Sequence, residues 1–238
     1  MGTGTGRRAA RLTGAALAAV AVAALSAGCS SDDGPDAHRA VDAVLTQGEL
    51  PAGLTVVKLG KDEIQQVADQ FHDSVKGVEV TPSQCVAPGS MPSKIDVKTS
   101  GLMVATDAKY SISESVQRLA DLPGDGIGDL VKLRGQVTGE CARVAVEVTA
   151  GPVKDSRIDT RYTVLDVPAG KARQLLVVQS DSTTSNESKD GSSRLLVGRA
   201  VVNDLLVTVQ MVARDDSDDL DPALFEQVLT AAVDKAAV

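Results

Sequence analysis

Tryptophan is absent from this 238-residue chain, and two tyrosines and two phenylalanines are its whole aromatic complement. That leaves little material for base-stacking platforms or for aromatic cages around cations. Basic residues are scarce as well: 24 Lys and Arg stand against 32 Asp and Glu, a net charge of −8. Phosphate-backbone binding needs a basic face, so the composition argues against a nucleic-acid partner. Only two histidines occur, His38 and His72, and neither has ligand-like spacing to a cysteine, which leaves a Cys/His metal site without support. The nucleophile-elbow pattern G-x-S-x-G is missing, and His72, beside Phe71 on an expected helix, reads as a surface or boundary residue. No catalytic residue is identified, and no metal or cofactor is expected. Hydrophobic residues nevertheless make up 43% of the chain, enough for a packed core.

What is present begins with an address. Arg7, Arg8 and Arg11 precede an uncharged stretch from Leu12 to Gly28 that is dominated by Ala, Val and Leu. At 17 residues it is short for a permanent membrane helix, which needs about 20 strongly apolar residues. A basic start, a short apolar middle and small residues at the end describe a secretory signal. Arg7-Arg8 leaves the export route open between general and twin-arginine secretion. The end, Leu25-Ser26-Ala27-Gly28-Cys29, resembles the lipobox of bacterial lipoproteins. That resemblance implies a diacylated Cys29 as the mature N-terminus, with residues 1–28 removed and residues 29–37 acting as a flexible acidic tether. Removing residues 1–28 takes away three arginines and no carboxylate, leaving 21 basic against 32 acidic residues, net −11. So acidic a body is repelled by an anionic bilayer, and acyl chains on Cys29 would have to hold it there. The expected location is the extracytoplasmic face of the cell membrane.

If Cys29 carries lipid, Cys85 and Cys141 remain. In an exported chain an even remainder reads as a disulfide, here closing a loop of 57 residues; a metal pair or free thiols are the alternatives.

Residues 38–238 read as one α+β domain, a twisted antiparallel sheet flanked by helices. Helical spacing covers His38–Thr46 and Asp62–Val75, and Thr81–Cys85 looks like a short helix start with Pro82 in its first turn. Leu54–Leu59 and Gly101–Thr106 read as strands, and Tyr110–Leu119 fits a strand slightly better than a helix capped by Ser111 and Glu114. Ile127–Val137 carries a helical face. Beyond Cys141, strands are expected over Ala142–Thr149, Arg157–Val167 and Ala172–Ser180, followed by a polar, exposed loop over Asp181–Ser193. Leu195–Val202 and Leu205–Ala213 flank Asn203-Asp204 as a hairpin. Asp221 and Pro222 open a last helix, with Leu224, Val228, Ala231 and Ala232 on its apolar face. The core is aliphatic, plugged locally by Tyr162 and Phe225.

The layout carries a resemblance. A lipoprotein signal is followed by Leu50-Pro51-Ala52-Gly53, by Pro82-x-x-Cys85, by Cys141 just before a strand, then by a hairpin and a closing helix. This resembles mycobacterial-type actinobacterial lipoproteins, which are similar in layout to the extracellular sensor domain of PknH-type serine/threonine kinases. The resemblance implies an antiparallel sheet with helices and a ligand-binding cleft, and it brings no catalytic residues. The second disulfide of that sensor domain cannot form here.

Two acidic or glycine-rich stretches invite sharper readings. Asp215–Asp221 with Glu226 mimics a calcium loop, but Leu220 stands where the loop needs glycine, so a solvated connector leading into a helix is the better reading. Gly124–Gly128 lacks the G-x-G-x-x-G spacing, and Asp125 and Asp129 would repel phosphate, so it reads as a turn. The expected function is therefore a lipid-anchored, non-enzymatic envelope protein that binds a ligand or protein in a sensor-like way. The alternative is a lipid carrier with an aliphatic cavity.

Overall fold

The β-branched, alternating segments pair into one nine-stranded sheet in a computed structural model that describes residues 35–58, 60, 78–85, 99–122, 128–149, 154–186, 190–214 and 219–238. The strands are β1 (Thr55–Val56), β2 (Val78–Thr81), β3 (Gly101–Thr106), β4 (Tyr110–Arg118), β5 (Arg143–Val148), β6 (Arg157–Leu165), β7 (Gln174–Ser185), β8 (Asp190–Val202) and β9 (Leu205–Ala213). Their order across the sheet is β1-β3-β4-β9-β8-β7-β6-β5-β2, and every neighbouring pair is antiparallel. Among the described residues three α-helices accompany it: α1 (Pro35–Asp42), α2 (Leu130–Thr138) and α3 (Pro222–Ala236). The α+β expectation stands in the form of a dominant sheet with modest helical cover. Among the described residues no helix is long and apolar enough to cross a membrane.

Period-two alternation gives the sheet two apolar faces. On one, Ile112, Val116, Val177, Leu196, Val207, Val209 and Met211 pack against α1 and against Phe225, Val228, Leu229 and Ala232 of α3. On the other, Val144, Tyr162, Leu176, Val178 and Leu206 pack against Leu130, Leu133 and Val137 of α2 and against Cys85 and Cys141. The two cysteines form a disulfide with Cα atoms 5.5 Å apart. Both helices rest on the first face at glycines, where the backbones need to approach closely. A Cβ on Gly101 would lie 2.1 Å from the Ala40 carbonyl oxygen of α1, and one on Gly198 would lie 2.7 Å from Leu229 Cδ2 of α3. Asp221 caps α3 as expected, accepting from the amides of Ala223 and Leu224 at 3.0 and 2.9 Å. The hairpin at Asn203-Asp204 also forms, with Asn203 at φ 54° and Val202 opposite Leu205.

Three expectations are corrected. The segment Asp181–Ser193 is mostly strand: β7 runs on to Ser185 and β8 begins at Asp190. Its Ser and Thr side chains are polar enough to suggest a loop, yet Thr suits an exposed pleated surface, and register with β6 and β8 holds the segment extended. Thr81–Cys85 is no helix start. Thr81 ends edge strand β2, the Thr81–Pro82 bond is cis, and a turn leads to Cys85. Helix α1 starts at Pro35, inside the stretch read as tether, and ends at Asp42 instead of Thr46. The expected helix Asp62–Val75, the Gly124–Asp125–Gly126–Ile127 turn, Cys29 and most of the acidic connector lie outside the described residues.

Candidate binding trough on the sheet

Helix α3 covers only part of the face it packs on. Along β8 the residues from Leu196 to Val202 are buried, whereas Asp190–Leu195 are exposed or half-buried. The strands β5 to β8 therefore extend a patch of sheet beyond α3 that no described helix covers. Register fixes what that patch displays. Arg143, Arg161, Asp181 and Arg194 are successive cross-strand partners on β5, β6, β7 and β8. Two residues further along, Ala145, Asp159, Thr183 and Ser192 form a parallel row. Both rows point away from the α2 face, because Val144, Tyr162 and Val178 alternate with them and lie in the α2 core.

Between the rows lies an open trough of about 690 Å³, which continues to Thr81 and Pro82 at the edge of the sheet. Its floor is the backbone of Val144, Thr160, Ser182 and Ser193. Strand geometry sets its dimensions: walls about 7 Å apart, from two residues of rise, and a length of about 14 Å, from three inter-strand spacings.

The charges in it are unevenly satisfied. Arg194 Nε donates to Asp181 Oδ1, and Gln179 Nε2 donates to the same carboxylate at 3.0 and 3.2 Å. Partial burial pushes the Asp181 pKa up, but these partners, together with the nearby charge of Arg161, outweigh it and hold the group below its ordinary value. Asp159 is gripped from outside the trough by the bidentate fork of Arg157, at 2.8 and 2.9 Å, which lowers its pKa. Arg157 also reaches Glu147 at 3.2 Å. Arg143 and Arg161 form no close ion pair or side-chain hydrogen bond with a described residue, although the Arg161 charge acts on Asp181 beside it.

Three buried ionisable groups were not legible as sites in the sequence. Glu114 sits in β4 between Met103 and Val209, on the α1 and α3 face, and is 1% exposed. Its Oε2 accepts from the Leu45 amide at 2.9 Å, while Oε1 has no partner among the described residues. Burial pushes its pKa up to about 8, against the lowering effects of the Leu45 amide and Lys235. Tyr162 and Arg199 lie on the opposite face; burial raises the Tyr162 pKa to about 12, with Arg199 pulling it down. The signal for Glu114 was there: Ile112-Ser113-Glu114-Ser115-Val116 puts a carboxylate on the apolar side of an alternating strand. Since Glu114 and the Tyr162–Arg199 pair are on opposite sides of the sheet, they do not converge on a common reacting atom. Among the described residues no three metal-ligating side chains cluster.

No protein-family model matches the sequence, and a search of curated proteins finds no match. Among solved structures, the chain is similar to an uncharacterised protein of Mycobacterium smegmatis, the Rv0999 ortholog, with 16% identity, a TM-score of 0.46 and coverage of 86% of this chain and 99% of that one. It is also similar to the extracellular domain of PknH from Mycobacterium tuberculosis, with 13% identity, a TM-score of 0.47 and coverage of 84% and 95%. The second is of the sensor-domain type that the sequence layout resembles, and neither likeness brings a ligand, partner or site residue to this chain.

Proposed function

We propose that this chain is a lipid-anchored protein of the cell envelope whose sheet domain is a binding module and not an enzyme. The observation that carries the binding role is the open trough on β5–β8, where a hydroxyl-rich groove holds two arginines that donate no side-chain hydrogen bond to a described residue. The anchor rests on the lipobox at Cys29, and export is supported by the Cys85–Cys141 disulfide, a bond favoured in oxidising compartments. The trough is open and lined mostly by charged and hydroxylated residues, and the aliphatic strand residues are packed against helices, so a lipid carrier is the weaker reading.

One experiment in intact cells tests both halves. Cells expressing the full chain are fed labelled palmitate, and a photo-crosslinking residue replaces Thr183 in the trough wall. Label should enter the protein, and Cys29→Ala should abolish it. The Thr183 probe should give envelope adducts that the same probe at Lys154, outside the trough, does not. Palmitate incorporation that survives Cys29→Ala would overturn the anchor, and indistinguishable crosslinking at the two positions would overturn the binding role.

A further inference from the structure

The two walls of the trough differ in kind, and the difference specifies a ligand. One wall is Arg143, Arg161, Asp181 and Arg194; the other is small or hydroxylated apart from Asp159. Both aspartates are already engaged, Asp181 by Arg194 and Gln179 and Asp159 by Arg157. Arg161 also acts on Asp181 across the strands, but neither it nor Arg143 donates a side-chain hydrogen bond to a described residue, and the two guanidinium groups are directly opposite each other on β5 and β6. Like charges in that position are unfavourable, because cross-strand partners on one face stand only about 5 Å apart at Cβ. Charges on strands near a sheet edge guard against edge-to-edge pairing, but that task needs no two of the same sign in one register. An anion lying between the two forks turns their repulsion into a clamp.

Geometry narrows the anion. Two guanidinium forks offer four or more N–H donors from two directions. A carboxylate presents two oxygens in one plane, whereas a phosphate group presents its oxygens tetrahedrally and can accept from both forks at once. The opposite wall supplies hydroxyls from Thr183 and Ser192, which donate to and accept from sugar or polyol hydroxyls. A groove about 14 Å long and open at its sides suits an extended chain better than a compact molecule.

We propose that the trough binds a phosphate carried on a hydroxylated chain, a polyol phosphate or sugar phosphate, with Arg143 and Arg161 clamping the phosphate and the Thr183 and Ser192 wall taking up the hydroxyls. This deepens the binding role proposed above and rests on it. Such a phosphate occurs both on soluble or wall-bound polymers and on polyol-headed lipids, and the chemistry recognised is the same.

The test uses the full chain in neutral detergent micelles, titrated calorimetrically with short poly(glycerol phosphate) and, separately, with a neutral polyglycerol of equal length. The phosphate polymer should bind and the neutral one should bind at least about tenfold more weakly. Arg143→Gln combined with Arg161→Gln should weaken phosphate binding by about tenfold or more, Arg→Lys at both positions should fall between, and Lys171→Gln, paired with Asp234 of α3 and not among the trough's lining residues, should change nothing. Vesicles with phosphatidylinositol against vesicles of phosphatidylcholine alone give the source: vesicle binding lost in the double variant points to a lipid headgroup, and polymer binding without vesicle binding points to a free chain. Either outcome supports the clamp. Equal binding of phosphate and neutral polymers, or phosphate binding undiminished in the double variant, overturns the clamp while leaving the trough a binding surface. If neither polymer nor vesicle binds and the Thr183 probe captures nothing in cells, the clamp and the binding role fail together.

Discussion

A single carboxylate shows how strongly position overrides residue type. Glu114 lies between apolar neighbours in the layer that α1 and α3 cover, with one oxygen bound to the Leu45 amide and the other unpartnered among the described residues. The charged groups that act on it are Lys235 at the end of α3 and Glu49 in the short 3-10 turn Gln47–Glu49, and these two are paired with each other. Its strand neighbours, Met103 and Val209, carry no charge. The folded chain therefore holds a proton up to about pH 8 that the unfolded chain releases near 4.5. In that window the native state binds more protons than the unfolded state, so this group's contribution to stability falls as pH rises and is flat outside it. Urea unfolding midpoints measured from pH 4 to pH 9 should show this decline in the wild type. Glu114→Gln keeps the acceptor for Leu45 and removes the charge. Its stability relative to wild type should rise across the window by an amount on the order of a few kcal/mol. Parallel pH curves for the two proteins would show that Glu114 does not titrate in this way.

At the scale of elements, docking of α3 depends on a missing side chain. Gly198 lets Leu229 and Phe225 sit directly on β8, and the space a methyl group would need is already filled by Leu229 Cδ1 at 3.0 Å and Phe225 Cζ at 3.1 Å. Both residues are buried, so neither has room to yield. Gly198→Ala should cost about 1–3 kcal/mol by overpacking, despite the better strand propensity of alanine. Combining it with Leu229→Val should recover part of the loss, a non-additivity that thermal or urea unfolding of the four proteins measures; strictly additive losses would place the strain elsewhere. Much of this level was legible beforehand. Asp221-Pro222 announced α3, Asn203-Asp204 announced the hairpin, and Val144, Val146 and Val148 announced the inner side of β5. The misreadings have local causes. Serine and threonine in Asp181–Ser193 satisfy loop and strand criteria equally, and only the partners at Asp159, Thr160 and Arg161 decide for strand. Pro82 suits a helix start by itself, but Val78–Thr81 is pulled into the sheet by β5. The trough could not have been read at all. Its four wall positions Arg143, Arg161, Asp181 and Arg194 belong to four strands, and nothing in any one segment states that they share a row until register is known.

The whole molecule is two cores back to back on one sheet, and they are secured differently. The α1 and α3 face is held by an extensive aliphatic layer whose buried residues come from five strands and two helices. The α2 face is smaller, and its margin includes β2, which among the described strands pairs with β5 alone. The disulfide lies on this weaker side. Cys85 follows β2 after a short turn, Cys141 stands between α2 and β5, and both are buried among Leu130, Leu133, Val137 and Tyr162. The bond thus fastens the sheet edge to the helix that covers it, and it closes off a sequence separation of 56 residues, for which loop-closure entropy gives about 4 kcal/mol. Because the two cores meet only through the sheet, losing the bond should not loosen both alike. In the double variant Cys85→Ala, Cys141→Ala, amide exchange should accelerate first in β2, β5 and α2, while β8, β9 and α3 keep most of their protection. Global stability should fall by up to about 4 kcal/mol. The trough draws its walls from β5 to β8 and so spans the boundary between the loosened and the retained regions. Its Arg143 and Ala145 positions should be disturbed, and Asp181, Thr183, Ser192 and Arg194 should be preserved. A uniform rise in exchange across both faces would mean that the sheet unfolds as one unit, and that the disulfide steadies the entire domain instead of its weaker side.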